Sequence, residues 1–499
     1  MIVVLAQCGK GEMSGTSSLH CVNRRQFLLN AAAATGALAV AGKEFAYSAA
    51  ATIPQPRLSA PLADPGAEGF HVWNVEPIDY VAEEYLMSGV SPIWEPTSNL
   101  DSNATPHTSG LQAPFNYLQH TPNHEPRQVL GSGPYTTRIV IYRPRDMKKF
   151  TGVTVVEPIH SQSGGYVYVF NVLSRFYASR GIAVVTLQHP ISFEPTIKAN
   201  PERYGSLAMK DWTQFWGTVS QLGALLKSGA TPLRAQTKRL YLTGYSFTGM
   251  CTSTFANFYH DDTRAAGGRP IFDGYLPHCN EYYIQPLDVP VIRVNSQSDF
   301  NYFTNPTYNP FARVPDSDDP LGRSRRYEVA GTDHGPLPEA EQGAAIPPFS
   351  EMGSCPAYAT FPENGQLNHQ PFFRPVFEIA VVHMEDWLTR AIAPPRAPWI
   401  VIGKGLVQAE VDENGNAVGG LRMPDVQLPI ATYKVGEKEC RLNGYMISFS
   451  TDKLRTLYGS KAHYLALYDH ATDSMVSQRW MLPESAERLK KHAREIQAF

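Results

Sequence analysis

The chain has 499 residues, with 43 Lys and Arg against 46 Asp and Glu, so its formal net charge is −3. This near balance argues against a nucleic-acid-binding protein, which carries a strong basic excess or stripe. A hydrophobic fraction of 43% is enough for a packed core and excludes general disorder. Only 18% of the residues are charged, whereas aromatic residues are plentiful, with 7 Trp, 25 Tyr and 23 Phe. This composition indicates a loop-rich globular protein with large apolar contacts.

Residues 1–51 have the pattern of a twin-arginine export signal. Arg24 and Arg25 precede an Ala- and Gly-rich apolar stretch, 29–42, and the small residues at 48–51 suit a cleavage site. The apolar stretch has about 14 residues, fewer than the roughly 20 that span a bilayer, so we expect no stable membrane anchor. We predict a periplasmic or secreted protein that the twin-arginine translocase exports in the folded state. The alternative is a cytosolic protein with a frayed amphipathic tail.

Residues 52–70 are rich in Pro and Ala and are predicted to form an exposed leader. Beyond them, apolar runs that suit buried strands alternate with helical patterns. The predicted strands are 79–86, 137–142, 153–156, 182–187, 239–243, 271–276, 289–294 and 326–330. The predicted helices are 167–180, 211–226, 248–259, 375–390 and 484–497. Continuous apolar strands that alternate with helices indicate an α/β fold, with a mostly parallel central sheet flanked by helices.

The character of the sequence changes in its last hundred residues. A Pro-rich connector at 393–398 is followed by a hairpin pattern at 407–418, whose Glu413–Asn416 run supplies the residues that a tight turn needs. The motif Asp412-x-Asn414-x-Asn416 has the spacing of a calcium loop, but Ala417 stands where such a loop requires Gly. The pattern therefore favours a turn over a metal site.

Six cysteines occur, at positions 8, 21, 251, 279, 355 and 440. The first two leave with the signal. The other four can form up to two disulfides in an oxidising compartment, with three possible pairings, and free buried thiols are the alternative for at least two of them. Their spacing lacks the CxxC pattern of a zinc or iron–sulfur site, and HExxH, Walker A and GxGxxG patterns are absent. We therefore predict no metal and no cofactor.

The strongest catalytic signal lies at Gly244-Tyr-Ser-Phe-Thr-Gly249, between a strand pattern and a helical pattern. In a nucleophile elbow, Ser lies at such a strained corner, and small residues two places before and after it let the backbone turn. Gly244 meets the first requirement, whereas Thr248 stands where Gly is commonest. We predict Ser246 as the nucleophile. The alternative is a plain turn in which Ser246 caps the helix.

A serine nucleophile needs an imidazole base and an orienting carboxylate, which follow it in chain order at strand exits on this architecture. Asp299 and His334 each follow a predicted strand, and His334 lies in a Gly-containing turn. We predict them as acid and base, and for Asp299 the alternative is a solvated loop acid. Asp333 is set aside because adjacent residues of a turn rarely point at each other. His383 lies within a predicted helix and is interpreted as structural, whereas His189 follows a strand and could line the pocket.

Further residues are predicted to surround the nucleophile. Acyl transfer needs N–H donors for the developing oxyanion, and we predict the Phe247 N–H and the loop that contains Gly164 and Gly165. Aromatic residues just after the predicted acid, beginning at Phe300, could form an apolar pocket, and the alternative is that they are core residues under a long loop. The residues predicted to bind substrate are Tyr245, His160 and Phe300.

These motifs resemble those of the α/β-hydrolase superfamily, and in particular the bacterial group called "alpha/beta hydrolase domain-containing protein". The resemblance rests on the runs Val81–Gly89, Val156–Pro158, Ser163–Tyr166, Gly244–Gly249, Glu328–His334 and Asp412–Pro424. It implies one elaborated hydrolase domain over 71–499, with a core at about 135–392 and a C-terminal extension, 393–499, packed around the same sheet. It also supports Ser246 as nucleophile and His334 as base.

The sequence therefore predicts an exported serine hydrolase that cleaves small-molecule carboxylic esters through Ser246, His334 and Asp299. Two alternatives stay open at this point. One is an amidase or peptidase that uses the same three residues on a harder leaving group. The other is a non-catalytic periplasmic binding protein on the same fold. Neither a cofactor nor a nucleic-acid partner is predicted in any of these cases.

Overall fold

A computed structural model of the chain describes residues 53–63, 74–95, 127–160, 167–231, 233, 237–280, 282–299, 313–335, 355, 361–368, 370–403, 408–437, 440, 442–497 and 499. All of them lie within the unit Ala50–Phe499. The predicted export signal, Gly164, Gly165 and Phe300 lie outside the described residues, so these predictions stay predictions. Within the described part, no helix is both long and apolar enough to cross a membrane.

Two β-sheets run through the described residues. Their strands are, in chain order, β1 (Arg57–Leu58), β2 (Tyr80–Trp94), β3 (Val129–Pro144), β4 (Val153–Ile159), β5 (Ala183–Gln188), β6 (Ala208–Met209), β7 (Arg239–Tyr245), β8 (Gly274–His278), β9 (Val291–Ser296), β10 (Ser324–Val329), β11 (Gly365–Leu367), β12 (Ala431–Val435) and β13 (Gly444–Ser448). The large sheet has the order β1-β2-β3-β5-β4-β7-β8-β9-β10, with β6 paired to β3. The small sheet has the order β11-β13-β12.

Helices connect these strands and cover the large sheet. They are, in chain order, α1 (Tyr168–Ser179), α2 (Phe193–Ala199), α3 (Pro201–Tyr204), α4 (Gln214–Ser228), α5 (Phe247–Phe258), α6 (Arg374–Arg390), α7 (Pro424–Gln427), α8 (Thr451–Tyr458), α9 (Lys461–Ser477) and α10 (Pro483–Glu495). Residues of α1 and α6 share one hydrophobic cluster, and residues of α4 and α5 share a second cluster. The two groups of helices therefore lie on opposite faces of the sheet.

The middle of the large sheet is parallel and buried on both faces. β5, β4, β7, β8, β9 and β10 pair in parallel, whereas β2 and β3 run antiparallel to their neighbours. Successive side chains of a strand point to opposite faces, so Val155 packs into the cluster of α1 and α6 and Val156 into that of α4 and α5. The predicted α/β fold with a mostly parallel sheet is confirmed.

The C-terminal extension joins the large sheet beside β10. The N–H of Leu421 donates to the carbonyl of Glu328 at 2.7 Å, and its carbonyl accepts from the N–H of Ala330 at 3.1 Å. Leu454 in α8 and Leu489 in α10 belong to the same hydrophobic cluster as the residues of α1 and α6. The extension therefore packs on the core of the large sheet.

The structure differs from the predicted elements mainly at the two ends of the chain. The pattern at 79–86 predicts only the first half of β2, which continues to Trp94 because it pairs with β3 along its length. In the leader that the sequence predicts to be exposed, Arg57 and Leu58 pair with β2 and form an edge strand. No pattern predicted α8, α9 or the small sheet.

The structure also resolves two choices that the sequence left open. The Asp412 carboxylate accepts from the backbone N–H groups of Asn414 and Asn416 at 2.9 and 3.0 Å and forms an ion pair with Arg422, so it serves the turn. Cys355 and Cys440 form a disulfide, whereas the cysteines at positions 251 and 279 are buried and not disulfide-bonded.

Candidate active site

Ser246 lies at the sharp corner between β7 and α5. Its φ of 54° and ψ of −119° are rare for a residue with a side chain, and its N–H donates to the carbonyl of His278 at 3.1 Å. A Cβ at Gly244 would lie 2.1 Å from the carbonyl oxygen of Thr248, and one at Gly249 would lie 2.4 Å from that of His278, so both positions require glycine. The corner therefore has the strained geometry of a nucleophile elbow.

Thr248 accounts for the departure from the usual G-x-S-x-G pattern. Its hydroxyl accepts from the N–H of Tyr245 at 2.8 Å and lies 3.0 Å from the carbonyl of Tyr245, to which it can donate. The side chain thus bonds the strand side of the corner to the helix side. The backbone approaches the neighbouring strand β8 closely at Gly249, one residue later.

His334 and Asp299 are in direct contact. His334 Nδ1 lies 2.6 Å from Asp299 Oδ1, and both side chains are buried. Burial alone would raise the pKa of Asp299, but the charge of His334 and hydrogen bonds from His334 and Ser296 outweigh it and hold that pKa below its usual range. An ionised carboxylate at Nδ1 fixes the imidazole tautomer in which Nε2 carries the lone pair that accepts a proton.

Hydrogen bonds from a neighbouring serine and from the distant C-terminal extension support this pair. Ser296 donates to Asp299 Oδ2 through its N–H at 2.9 Å and its hydroxyl at 2.8 Å. The carbonyl of Leu442, in the C-terminal extension, accepts from the Ser298 hydroxyl at 2.8 Å and from the N–H of His334 at 2.9 Å. One carbonyl of the extension therefore fixes the loops of both the acid and the base.

Tyr245 connects the elbow to the loop of His334. Its hydroxyl donates to the carbonyl of His334, and the centroids of the two rings lie 5.1 Å apart. The Tyr245 side chain is buried, and its ring also packs against Tyr168. A buried tyrosine in this position supports the contact between the loop of the nucleophile and the loop of the base. The substrate contact predicted for Tyr245 stays a prediction.

Cys279 lies beside the acid–base pair, although no motif indicated it. It has a φ of 48°, and its ligand atom and those of Asp299 and His334 all lie within 4.8 Å of one another. Burial and the neighbouring carboxylate raise the pKa of the Cys279 thiol, which keeps it protonated. A metal ion could bind these atoms only by replacing the hydrogen bond between Asp299 and His334, so the donor set suits an acid–base pair better than a metal.

The exits of four neighbouring strands meet at this site. Ser246, Cys279, Asp299 and His334 follow β7, β8, β9 and β10, which are adjacent in the large sheet. Parallel strands end at the same edge of a sheet, and ligands of open α/β sheets bind at that edge. The position of Cys279 at the exit of β8 is the one sequence signal that could have identified it.

Two buried histidines pack against Phe247, the residue after Ser246. The ring centroid of Phe247 lies 5.6 Å from that of His160 and 5.3 Å from that of His189. Burial lowers the pKa of each histidine to about 3, helped for His160 by the nearby His334, so both are neutral at pH 7. α5 begins at Phe247, and the N–H groups of a first helical turn have no acceptor within the helix.

The whole chain was also compared with known proteins. Residues 48–491 match the family model described as "Alpha/beta hydrolase domain". The chain belongs to this alpha/beta hydrolase family. The resemblance drawn from the sequence motifs is thereby confirmed, and the family supports a hydrolase. Among curated proteins, no match to this alpha/beta hydrolase was found.

Solved structures to which this alpha/beta hydrolase is similar include bacterial and fungal proteins. A fungal esterase from Rhizomucor miehei is 10% identical, with a TM-score of 0.31 over 52% of this chain and 81% of that chain. A serine hydrolase without a lid from Xanthomonas campestris is 16% identical, with a TM-score of 0.24 over 39% and 78% of the two chains. A thermostable esterase from Pseudomonas putida ECU1011 is 11% identical, with a TM-score of 0.24 over 38% and 69%. Scores this low carry no argument about substrate.

Two other titratable residues of this alpha/beta hydrolase have partners outside the acid–base pair. Asp333 Oδ1 accepts from the N–H of Gly335 at 2.9 Å and from Gln370 Nε2 at 2.7 Å. Burial raises the pKa of Asp333 to about 7, partly offset by these hydrogen bonds. His383, within α6, has Nε2 at 2.9 Å from the carbonyl of Arg479, a contact that supports packing.

Proposed function

We propose that this alpha/beta hydrolase is a serine hydrolase that cleaves small-molecule carboxylic esters, with Ser246 as nucleophile, His334 as base and Asp299 as acid. The observation that carries the proposal is the contact of 2.6 Å between His334 Nδ1 and Asp299 Oδ1 at the sheet edge that also bears Ser246. The strained backbone of Ser246 adds support, because such strain costs about 1–3 kcal/mol and clusters at functional sites.

In the proposed reaction, Ser246 Oγ attacks the ester carbonyl carbon while His334 Nε2 accepts the hydroxyl proton. The tetrahedral intermediate collapses to an acyl-enzyme, and His334 returns the proton to the departing alcohol. Water then attacks the acyl-enzyme with the same imidazole as base, which releases the acid and restores the serine. Asp299 holds Nδ1–H and stabilises the imidazolium without taking its proton.

The N–H of Phe247 is the proposed first donor to the oxyanion. It belongs to the first turn of α5, where N–H groups lack helical acceptors and the helix dipole favours negative charge. A single donor of this kind changes kcat by roughly a hundredfold to a thousandfold. The loop that contains Gly164 and Gly165 remains the predicted source of the second donor.

Ester turnover by the purified mature chain tests the proposal. Ser246→Ala should lower kcat by at least about a thousandfold, and a fluorophosphonate probe should label the wild type once per chain but not the variant. Ser206→Ala is the matched control, because Ser206 is exposed in a turn after α3. Unchanged turnover in Ser246→Ala would refute the assignment. Faster cleavage of matched amides would indicate an amidase, and a wild type without turnover or labelling would indicate a binding protein.

We also propose that the twin-arginine pathway exports the chain to the periplasm or beyond. The disulfide between Cys355 and Cys440 supports this proposal, because disulfides persist in oxidising compartments. Replacing Arg24 and Arg25 together by Lys should leave the precursor in the cytoplasm, whereas Arg57→Lys, outside the signal, should not change processing. Export of the double variant at the wild-type level would contradict the proposal.

A further inference from the structure

His189 directly follows β5, and a backbone N–H group determines which of its ring nitrogens carries the proton. Nδ1 accepts from the N–H of Ile191 at 3.2 Å, so the proton of the neutral imidazole is on Nε2. Burial lowers the pKa of His189 to about 3, which keeps the ring neutral at pH 7. Nε2–H is therefore a fixed, uncharged hydrogen-bond donor.

This donor lacks an acceptor in the part of the chain that the structure describes. The His189 side chain is fully buried, yet Nε2 has no hydrogen-bond partner there. The contacts of the imidazole are with aromatic rings, whose centroids lie at 4.4 Å for Phe215, 5.3 Å for Phe247 and 6.0 Å for Trp212. Because buried polar groups are nearly always paired in native proteins, an unpaired donor at this position calls for an explanation.

The same rings connect His189 to the proposed nucleophile. Phe247 directly follows Ser246 and packs edge-on against His189, with 87° between the ring planes. Phe247 and Trp212 are half-buried, whereas Phe215 is fully buried. Ligand pockets are typically lined by aromatic side chains with a few oriented polar groups. The three aromatic rings and the Nε2–H of His189, close to the proposed nucleophile, have this composition.

We propose that His189 Nε2–H binds a neutral acceptor oxygen of the substrate, an ether, ketone or hydroxyl oxygen outside the scissile ester. The inference rests on the proposed esterase function. It names the substrate class as uncharged esters that carry an additional acceptor oxygen, which are called oxygenated esters below. A carboxylate is a poor occupant, because the neutral imidazole brings no positive charge to offset its burial. An ester without this oxygen leaves the donor unpaired, which should cost roughly tenfold to a hundredfold in kcat/KM.

The test compares esters that differ by a single exchange of oxygen for CH₂. For the acyl side, para-nitrophenyl methoxyacetate is paired with para-nitrophenyl butyrate, and for the alcohol side, methoxyethyl acetate is paired with butyl acetate. Each ratio of kcat/KM values is divided by the ratio of the hydroxide-catalysed rates, which removes intrinsic reactivity. We expect the wild type to prefer the oxygenated ester of at least one pair by roughly tenfold or more after this correction.

Variants at position 189 then assign the preference to the donor. His189→Leu should bring the corrected ratio to about one by lowering kcat/KM for the oxygenated ester alone. His189→Gln, which keeps an N–H donor, should retain part of the preference. His463→Leu replaces an exposed histidine of α9 and is the matched control that should leave the ratio unchanged.

Two results would overturn the inference. One is a corrected wild-type ratio near one for both pairs, and the other is an equal loss for both esters in His189→Leu, which would indicate a structural N–H contact with the aromatic rings. Neither result affects the proposed function, which fails separately if the wild type cleaves no ester and takes up no fluorophosphonate. If His189→Leu does not fold, the wild-type ratios and His189→Gln decide the question.

Discussion

His334 Nδ1 lies 2.6 Å from Asp299 Oδ1, although the two residues are 35 positions apart in the sequence. β9 and β10 pair in parallel, and their register sets Ser296 opposite Val329, so both strands end at the same edge of the sheet. The loops that follow therefore enter the same space. Sheet register, more than any local feature of either loop, brings the carboxylate to the imidazole.

This contact predicts opposite outcomes for two neighbouring acids. Asp299→Asn keeps the shape of the side chain but removes the charge that fixes the His334 tautomer, so kcat should fall by about ten thousandfold. Asp333→Asn is the matched control, because its Oδ1 can still accept from Gly335 and Gln370, and kcat should stay within a few fold. Steady-state kinetics on one ester measure both variants. Equal losses would contradict the assignment of Asp299 as the acid.

The pair could be predicted from the sequence because each residue lies within five positions of the end of a buried apolar run. The groups that support it could not. The carbonyl of Leu442 that accepts from the Ser298 hydroxyl is 144 residues away, and no local pattern shows which carbonyl a distant segment will present. Cys279 was missed for a related reason, since it reaches the pair only through the adjacency of β8 and β9.

The same distinction applies to the fold. β7 was predicted at 239–243 and extends over Arg239–Tyr245, because strands buried on both faces have continuous apolar runs. The second half of β2 mixes Ser, Gly and Pro, and its pairing with β3 rather than its own sequence makes it a strand. α9 buries few residues, among them Tyr464 and Tyr468, so its apolar face was too narrow to recognise.

Reduction of the disulfide should weaken both stability and catalysis. Cys440 lies two residues before Leu442, whose carbonyl accepts from the N–H of His334 at 2.9 Å, and it is bonded to Cys355 across 85 residues. Loss of this cross-link should cost about 2–4 kcal/mol of unfolding free energy and lower kcat more than it changes KM. Thermal unfolding and kinetics with and without dithiothreitol measure the two effects. A variant with Ala at positions 355 and 440 is the control and should not respond to the reductant.

The Glu84 carboxylate is predicted to be important for stability. It is fully buried between Arg138 and Arg203 and accepts from the Tyr204 hydroxyl at 2.8 Å. Burial alone would raise the pKa of Glu84, but the charge and hydrogen bonds of the two arginines hold it below its usual range. Glu84→Gln removes the charge that neutralises the buried Arg138 guanidinium and should cost about 3–5 kcal/mol in denaturant unfolding.

The exposed ion pair between Asp79 and Lys149 provides the matched comparison for Glu84. Its atoms lie 2.7 Å apart, but more than half of each side chain is exposed. Water and salt screen such a pair, so Asp79→Asn should leave the unfolding midpoint nearly unchanged. Similar midpoints for Asp79→Asn and Glu84→Gln would show that the buried network contributes no more than the surface pair.

The imidazole of His278 predicts that acid destabilises the fold. It is fully buried against Phe377, and neither ring nitrogen has a hydrogen-bond partner among the described residues. Burial lowers the pKa of His278 to about 3, whereas an unfolded histidine has a pKa of about 6.5. Between these values the unfolded chain binds a proton that the folded chain does not, so the free energy of unfolding falls as the pH falls.

His278→Leu should remove the contribution of one histidine to this dependence, because leucine takes up no proton. Between about pH 6.5 and pH 5, the variant should lose about 2 kcal/mol less stability than the wild type in urea unfolding. At pH 7 it should be no less stable, since the His278 side chain has no hydrogen bond to lose within the described part of the chain. His383→Leu is the matched control: burial also lowers the pKa of His383 to about 3, but that ring contacts the Arg479 carbonyl. It should flatten the pH dependence equally and cost stability at pH 7. A wild-type slope in His278→Leu would mean that His278 is protonated in the folded chain.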